Sequence, residues 1–262
     1  MKNLSLVFAL GVSLAACLSC SSAYKDMATT AGQQSIIDQA NDFLTAGNCE
    51  GAIGVLKPLV DSPYVNYEAL MVYSSAYSCR GGINMAALIG NLKDLNGSDV
   101  WGVLIKTNYS TGADGHLAAL DTAWKILCQA ANPIDYPNAS ARNADQNVDM
   151  IFIQANIITT VIAPLGNASS STGKKGKSIT GLGTKSDKCH VQVALAELKD
   201  SLQYVSASAS LKNISDEINT VCASVAGGCP LNESLDGCLN DGTNVLPTAG
   251  GLIIDAIDTV WN

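Results

Sequence analysis

The sequence predicts an all-α protein made of antiparallel helical hairpins that disulfide bonds staple together. Two observations support this fold class. Apolar residues recur at helical spacing over most of the chain, and the composition is rich in small residues while aromatic residues make up only 5%. Nine cysteines occur in 262 residues, and in an exported chain such cysteines form disulfides that the cytosol would keep reduced.

The N-terminus has the features of an export signal. Lys2 precedes an uncharged apolar stretch over 4–16, which is too short to span a bilayer stably. The stretch ends in "LAAC" at 14–17, which resembles the lipobox of bacterial lipoproteins. The resemblance implies that Cys17 becomes the first residue and carries acyl chains such as palmitate, which anchor it to a membrane. The alternative is an ordinary secretory signal cleaved after Ala16 or Ser19.

The charge balance limits the possible partners. Removal of residues 1–16 takes away one lysine, which leaves 14 basic against 23 acidic residues and a net charge of −9. This balance argues against nucleic acid binding and against electrostatic docking on anionic lipids. Leu18, not Asp, follows the lipid-bearing cysteine, so the lipoprotein resemblance implies the outer membrane, with the protein on the periplasmic face.

The first half of the chain contains a candidate internal repeat. "AIGVLKPL" at 52–59 matches "LIGNLKDL" at 88–95 with an offset of 36 residues. Apolar periodicity predicts helices around these copies, over 33–46, 49–60, 64–79 and 84–95. The stretch resembles tetratricopeptide-type repeats, with Ala40 at a close helix crossing, Gly47 in the turn, Ala52 early in the second helix and Pro63 before the next repeat.

The repeat resemblance implies a concave groove that holds a partner protein or peptide. We expect the groove helices to present Tyr67, Met71 and Ser74. The hairpin arrangement also predicts a disulfide between Cys49 and Cys79, which would add about 3–4 kcal/mol by the chain-entropy relation. Two separate buried thiols are the alternative.

The rest of the chain is predicted to be a second helical region. Amphipathic helices are expected over 115–131, 189–209 and 215–225, and a buried core helix over 148–163. The turn-rich stretch 227–244 is expected to be stapled by cysteines among Cys222, Cys229 and Cys238, with the pairing left open. The predicted organisation is a signal peptide (1–16), a tether (17–32), the repeat region (33–131), a connector (132–147) and a C-terminal helical region (148–262) with a flexible loop (166–188).

Motifs for catalysis, cofactors or metals are missing from the sequence. "SSSTGKKGKS" at 169–178 looks like a phosphate-binding loop, but the pattern requires glycine where Ser171 stands. We therefore predict a solvated loop; anion binding by Lys174, Lys175 and Lys177 is the alternative. Once the lipid-bearing Cys17 is set aside, no CxxC pair remains among the other eight cysteines, and His116 and His190 lie in no catalytic motif. A buried acid–base cluster that joined either histidine to carboxylates would favour an enzyme.

These observations predict a non-catalytic, lipid-anchored scaffold that binds an envelope protein or peptide, without metal or cofactor. The alternative is a small-ligand-binding helical lipoprotein that accompanies a solute transporter. An apolar cavity between the repeat and the 148–163 helix would favour the ligand carrier, whereas a solid core would favour the scaffold.

Overall fold

The structure, a computed structural model, describes residues 27–84, 99–108, 115–131, 139–205, 209–225, 228–229 and 234–262. This part of the chain contains helices and no β-strand, which confirms the all-α prediction. The helices are α1 (Thr30–Thr45), α2 (Cys49–Val60), α3 (Tyr67–Arg80), α4 (Val100–Thr107), α5 (His116–Ala131), α6 (Ala144–Leu165), α7 (Lys185–Leu202), α8 (Ala209–Ser224), α9 (Leu235–Leu239) and α10 (Val245–Val260), with a 3-10 turn at Ala139–Ala141.

The chain forms two compact units, Met1–Tyr73 and Ser74–Asn262. In the first unit, α1 packs on α2 as a hairpin. Gly47 joins the two helices with a φ of 71°, a left-handed conformation that glycine adopts without strain. The side chain of Asn48 then caps α2 by accepting a hydrogen bond from the Gly51 amide at 2.9 Å. The hairpin predicted over 33–46 and 49–60 is therefore present.

Several of the sequence predictions lie outside the described residues. They are the signal peptide and the lipobox with Cys17, the tether up to residue 26, the second repeat copy at 88–95 with its helix, and residues 132–138 of the connector. The anchor and the repeat consequently stay predictions, and the described helices do not by themselves establish a tetratricopeptide-like solenoid.

The second unit is organised around α6, which packs on α4, α5 and α7. The sequence predicts this helix over 148–163, but it begins at Ala144 because Asn143 and Gln146 form a capping box. Among the described residues, α6 alone has the length and apolar composition of a membrane span, yet 78% of its apolar 18-residue stretch is buried inside the protein. Two of its buried polar side chains bond to its own backbone: Asn156 Nδ2 donates to the Phe152 carbonyl at 2.8 Å, and Thr159 Oγ1 donates to the Asn156 carbonyl at 3.2 Å. Burial on this scale is typical of a core helix.

Helix α7 is the second central element, because it contacts α6, α8, α9 and α10. A disulfide between Cys189 and Cys238 ties α7 to α9. The approach of α10 is close at Gly250, where a Cβ atom would lie 2.0 Å from the Lys188 carbonyl oxygen. Glycine at this position is what lets the two helices touch through their backbones.

The predicted division of the chain differs from the structure. The connector 132–147 does not separate two bodies, because α5 before it packs directly on α6 after it. The compact units instead divide between Tyr73 and Ser74, inside α3. Helix boundaries also shift in the C-terminal half, where the helix predicted over 189–209 ends at Leu202 and α8 begins at Ala209, which places Ser215 inside a helix and not at its start.

The segment predicted as a flexible loop over 166–188 is packed on the protein. Residues 185–188 belong to α7, whose first turn is fixed by a capping box between Thr184 and Asp187. Within the loop, the amides of Gly176 and Lys177 donate to the Gly166 carbonyl at 2.8 and 3.1 Å. Ile179 is fully buried, and Trp261 Nε1 donates to the Gly173 carbonyl at 2.9 Å. Contacts with α10, distant in sequence, hold this loop in place.

Candidate functional site

The predicted groove residues do not share one open surface. Tyr67 is exposed and Met71 is half-buried, but Ser74 is only 1% exposed. The Ser74 hydroxyl donates to the Ala123 carbonyl of α5 at 2.8 Å. The prediction that Ser74 faces a partner is therefore wrong, because Ser74 is buried and bonds to α5, a helix distant in sequence.

An exposed apolar surface does lie at the start of α3, formed by Tyr64, Val65 and Tyr67; we call it the tyrosine patch. These side chains are 48%, 37% and 44% exposed. In the described part of the chain the other exposed large apolar residues are scattered, at Tyr204, Val245 and Leu252. Clustered exposed apolar side chains are typical of interaction sites, whereas isolated ones are ordinary.

Hydrogen bonds fix the backbone beneath the tyrosine patch. Ser62 Oγ donates to the Leu59 carbonyl at 2.7 Å and accepts from the Tyr64 amide at 3.1 Å. On the other side, Asn66 Nδ2 donates to Gln33 Oε1 of α1 at 2.8 Å, and Asn66 Oδ1 accepts from the Ala69 amide at 2.8 Å. The patch therefore rests on a turn that both the end of α2 and the start of α1 hold in place.

The surface around the tyrosine patch is acidic. Gln34 Nε2 donates to Asp38 Oδ1 at 3.0 Å and to Glu68 Oε1 at 3.3 Å, which brings two exposed carboxylates to one amide group. Residues 27–73 contain five acidic side chains, all exposed, and one lysine, a balance of −4. That lysine, Lys57, already pairs with Asp61 at 2.7 Å. The first unit therefore presents apolar and negative surface together.

An acid–base pair lies in the second unit. His190 Nε2 of α7 lies 3.1 Å from Asp121 Oδ2 of α5, and Nδ1 lies 2.8 Å from the Ser186 carbonyl oxygen. Burial opposes protonation of the ring, but the hydrogen bond and charge of Asp121 and the Ser186 carbonyl outweigh it and raise the pKa of His190. Both ring nitrogens are therefore engaged with groups of the protein itself. The pair holds α5 to α7.

A second buried charge pair has a structural role. Arg142 donates to Glu197 Oε2 through both terminal nitrogens at 3.1 Å and to Ser201 Oγ at 3.0 Å. Its Nε donates to Asn147 Oδ1 at 3.0 Å. Arg142 precedes α6 and Glu197 belongs to α7, so the cluster fixes the start of the core helix on its neighbour.

The lysine-rich loop holds a carboxylate of its own chain. Asp258 of α10 accepts from Lys175 Nζ at 3.0 Å, Ser178 Oγ at 2.6 Å, the Ile179 amide at 3.1 Å and Thr180 Oγ1 at 3.0 Å. Burial opposes ionisation, but these donors outweigh it and lower the pKa of Asp258 to about 2. Of the three lysines considered for anion binding, Lys175 is therefore engaged internally, while Lys174 and Lys177 are exposed.

The disulfides are placed partly as expected. Cys222 pairs with Cys229 across the start of the turn-rich stretch. Cys238 pairs with Cys189, a partner that the sequence analysis does not identify. Cys49 and Cys79 are each disulfide-bonded, and their pairing with one another stays a prediction. Cys128 is a free thiol.

Tyr64 and Val65 are not predicted as site residues from the sequence. The signal that could identify them is "YVNY" at 64–67, which places three large apolar residues in a short connection between two helices. Within the described ranges, no group of three or more His, Cys, Asp and Glu side chains is arranged to hold a metal ion. No protein-family model, curated protein or solved structure matches this chain.

Proposed function

We propose that the protein is an exported, lipid-anchored, non-catalytic scaffold, and that the tyrosine patch is where it binds a partner protein or peptide. The observation that supports this function is the cluster of exposed tyrosine side chains on a backbone held by hydrogen bonds. Tyrosine is enriched at protein interfaces, because its ring buries a large area at low conformational cost and its hydroxyl can still bond. The anchor is the lipobox cysteine, Cys17.

The sequence and structure together favour binding over catalysis. His190 uses both ring nitrogens within the fold, and Lys175 and Ser178 of the lysine-rich loop donate to Asp258. The acidic first unit disfavours nucleic acid and anionic lipid as partners. An apolar and acidic surface suits a protein or peptide partner.

Photo-crosslinking in intact cells tests this proposal. A photoreactive phenylalanine analogue replaces Tyr64 in one strain and the equally exposed Tyr204 in another, each with Cys17 intact or as Cys17→Ala. We expect one envelope protein to crosslink from position 64 and not from 204, with a reduced yield in Cys17→Ala. Equal products from both positions, or none above background from position 64, would contradict the proposed function.

A pocket favours the second candidate, small-ligand binding. An open cavity of about 270 Å³ lies between the end of α7 and α8, lined by Lys199, Leu202, Gln203, Ser215, Ile218 and Asn219. It is not the apolar cavity beside α6 that the sequence analysis requires for a solute carrier. Its lysine suits a small anionic solute. A thermal-shift screen tests it: a true ligand raises the Tm of the wild type but not of Asn219→Trp, whose indole would fill the pocket.

A further inference from the structure

We propose that the partner of the tyrosine patch is a cationic segment with interspersed apolar residues. The inference rests on the proposed function and adds the chemistry of the ligand. The apolar part of the recognition is supplied by Tyr64, Val65 and Tyr67, and the charged part by the carboxylates beside them.

Among the described residues, the two carboxylates that Gln34 joins have no lysine or arginine partner. Glu68 follows Tyr67 directly, and Gln34 holds Asp38 next to Glu68 through one amide group. In the described part of the chain neither carboxylate meets a lysine or arginine. Two negative charges held together by a neutral side chain repel each other, and an incoming cation relieves that repulsion. Lysine or arginine in a partner is complementary to this arrangement.

Charge also disfavours a second copy of this chain as the occupant. The protein carries a net charge of −8, and the unit with the patch carries −4 over residues 27–73. Two copies meeting at this surface would bring like charges together. Contact with an anionic bilayer is opposed for the same reason. A cationic polypeptide with apolar side chains is complementary to both the apolar and the acidic part of the surface.

The backbone under the patch adds to the argument, because it is fixed by bonds from two helices. Ser62 closes the turn on the α2 side, and Asn66 bonds to Gln33 of α1. A surface that is ordered before binding loses little conformational entropy on association. The exposed tyrosines can therefore pack against apolar side chains of the partner that lie between its cationic residues.

Calorimetric titration of the purified protein with synthetic peptides tests the inference. The probes are a short peptide of alternating lysine and leucine, a matched peptide with glutamate for lysine, and one with serine for leucine. We expect the lysine–leucine peptide to bind most tightly, with an affinity that falls as salt screens the charges. The Tyr64→Ser/Tyr67→Ser variant should bind about tenfold more weakly, since interface tyrosines often carry that much.

Matched controls separate the patch from the protein as a whole. Tyr204→Ser removes an equally exposed tyrosine of the second unit and should leave binding unchanged. Asp38→Asn/Glu68→Gln should weaken binding and flatten its salt dependence, whereas Asp236→Asn, another exposed carboxylate, should change neither. Circular dichroism checks that each variant is folded.

The inference is overturned if the glutamate–leucine peptide binds as well as the lysine–leucine peptide, if Tyr204→Ser causes the same loss, or if no peptide binds with a Kd below about 1 mM. Crosslinking from position 64 in cells distinguishes this failure from a failure of the proposed function. If a partner crosslinks from position 64 but no peptide binds in the titration, only the proposal that the partner is cationic is rejected. If both experiments fail, the proposal that the patch is a docking site is rejected as well.

Discussion

At the scale of single residues, the close contact of α10 with α7 depends on Gly250. We expect Gly250→Ala to destabilise the protein by more than about 2 kcal/mol, because a Cβ atom would lie 2.0 Å from the Lys188 carbonyl oxygen and the helices must separate. Gly251→Ala is the matched control. Its Cβ would lie 3.5 Å from Lys188 Cε, an ordinary contact, so the gain in helix propensity should stabilise by up to about 1 kcal/mol. Urea unfolding of both variants measures the difference, and equal effects would contradict the packing argument.

A second prediction at this scale concerns the free thiol of Cys128. Burial, reinforced by the nearby Glu197 charge, raises the pKa of this thiol to about 12. The thiolate is the reactive form, so Cys128 should be alkylated slowly by iodoacetamide at pH 8 in the folded protein and rapidly in urea. Peptide mapping by mass spectrometry assigns the label to its cysteine. Fast labelling of Cys128 in native buffer would show that the site is open to solvent.

At the scale of elements, the loop between α6 and α7 is fastened to α10 through Asp258. We expect Asp258→Asn to cost about 2 kcal/mol, because an ionised carboxylate with a pKa of about 2 loses its charge-assisted hydrogen bonds and its pair with Lys175. Urea unfolding gives the cost. Hydrogen exchange should show faster exchange at the Ile179 amide, which donates to Asp258 at 3.1 Å. Asp236→Asn, an exposed carboxylate on α9, should alter neither measurement.

The elements show what local sequence can predict. Helix α2 spans the residues expected from its apolar spacing, and Gly47 ends α1 as its freedom of φ suggests. Helices α6 and α7 each begin four residues earlier than predicted. Their capping boxes, which begin at Asn143 and Thr184, can be recognised in the sequence. Local signals are therefore sufficient for the existence of helices and nearly sufficient for their ends.

Long-range contacts explain where the sequence analysis fails. The lysine-rich loop is held by Asp258, some 80 residues further along the chain. Ser74 is buried, and its hydroxyl donates to a carbonyl of α5 that lies 49 residues away in the sequence. Neither partner can be inferred from apolar periodicity, which reports a helix face but not its neighbour. For the candidate site, the sequence identifies Tyr67 but not the adjoining Tyr64 and Val65, because exposure of a turn depends on what packs around it.

At the scale of the whole molecule, the titratable groups make the fold most stable at mildly acidic pH. The pKa of His190 is raised, so the stability it contributes is present below its unfolded pKa and is lost as pH rises through the folded value. Burial and the adjacent Asp145 raise the pKa of Asp149 to about 6, so stability increases as pH falls through that value. Asp258, with a pKa of about 2, contributes stability that is lost only as pH falls from about 4 toward 2.

We therefore expect thermal stability to be highest near pH 5, to decline toward pH 8 and to fall steeply below pH 4. Thermal unfolding followed by circular dichroism across this range measures the profile. His190→Gln should flatten the decline above pH 6.5, and Asp149→Asn the change around pH 6. A maximum at pH 8 in the wild type would show that these groups do not control the stability of the fold.

The position of α6 in the chain has a consequence for how the protein is made. Its most extensive cover, α7, follows it in the sequence and is joined to it by residues 166–184. A chain that emerges from the ribosome or from an export channel therefore presents this long core helix before its cover has arrived. During that interval α6 is the natural binding site for a chaperone, and a chain that stops at Leu165 should aggregate.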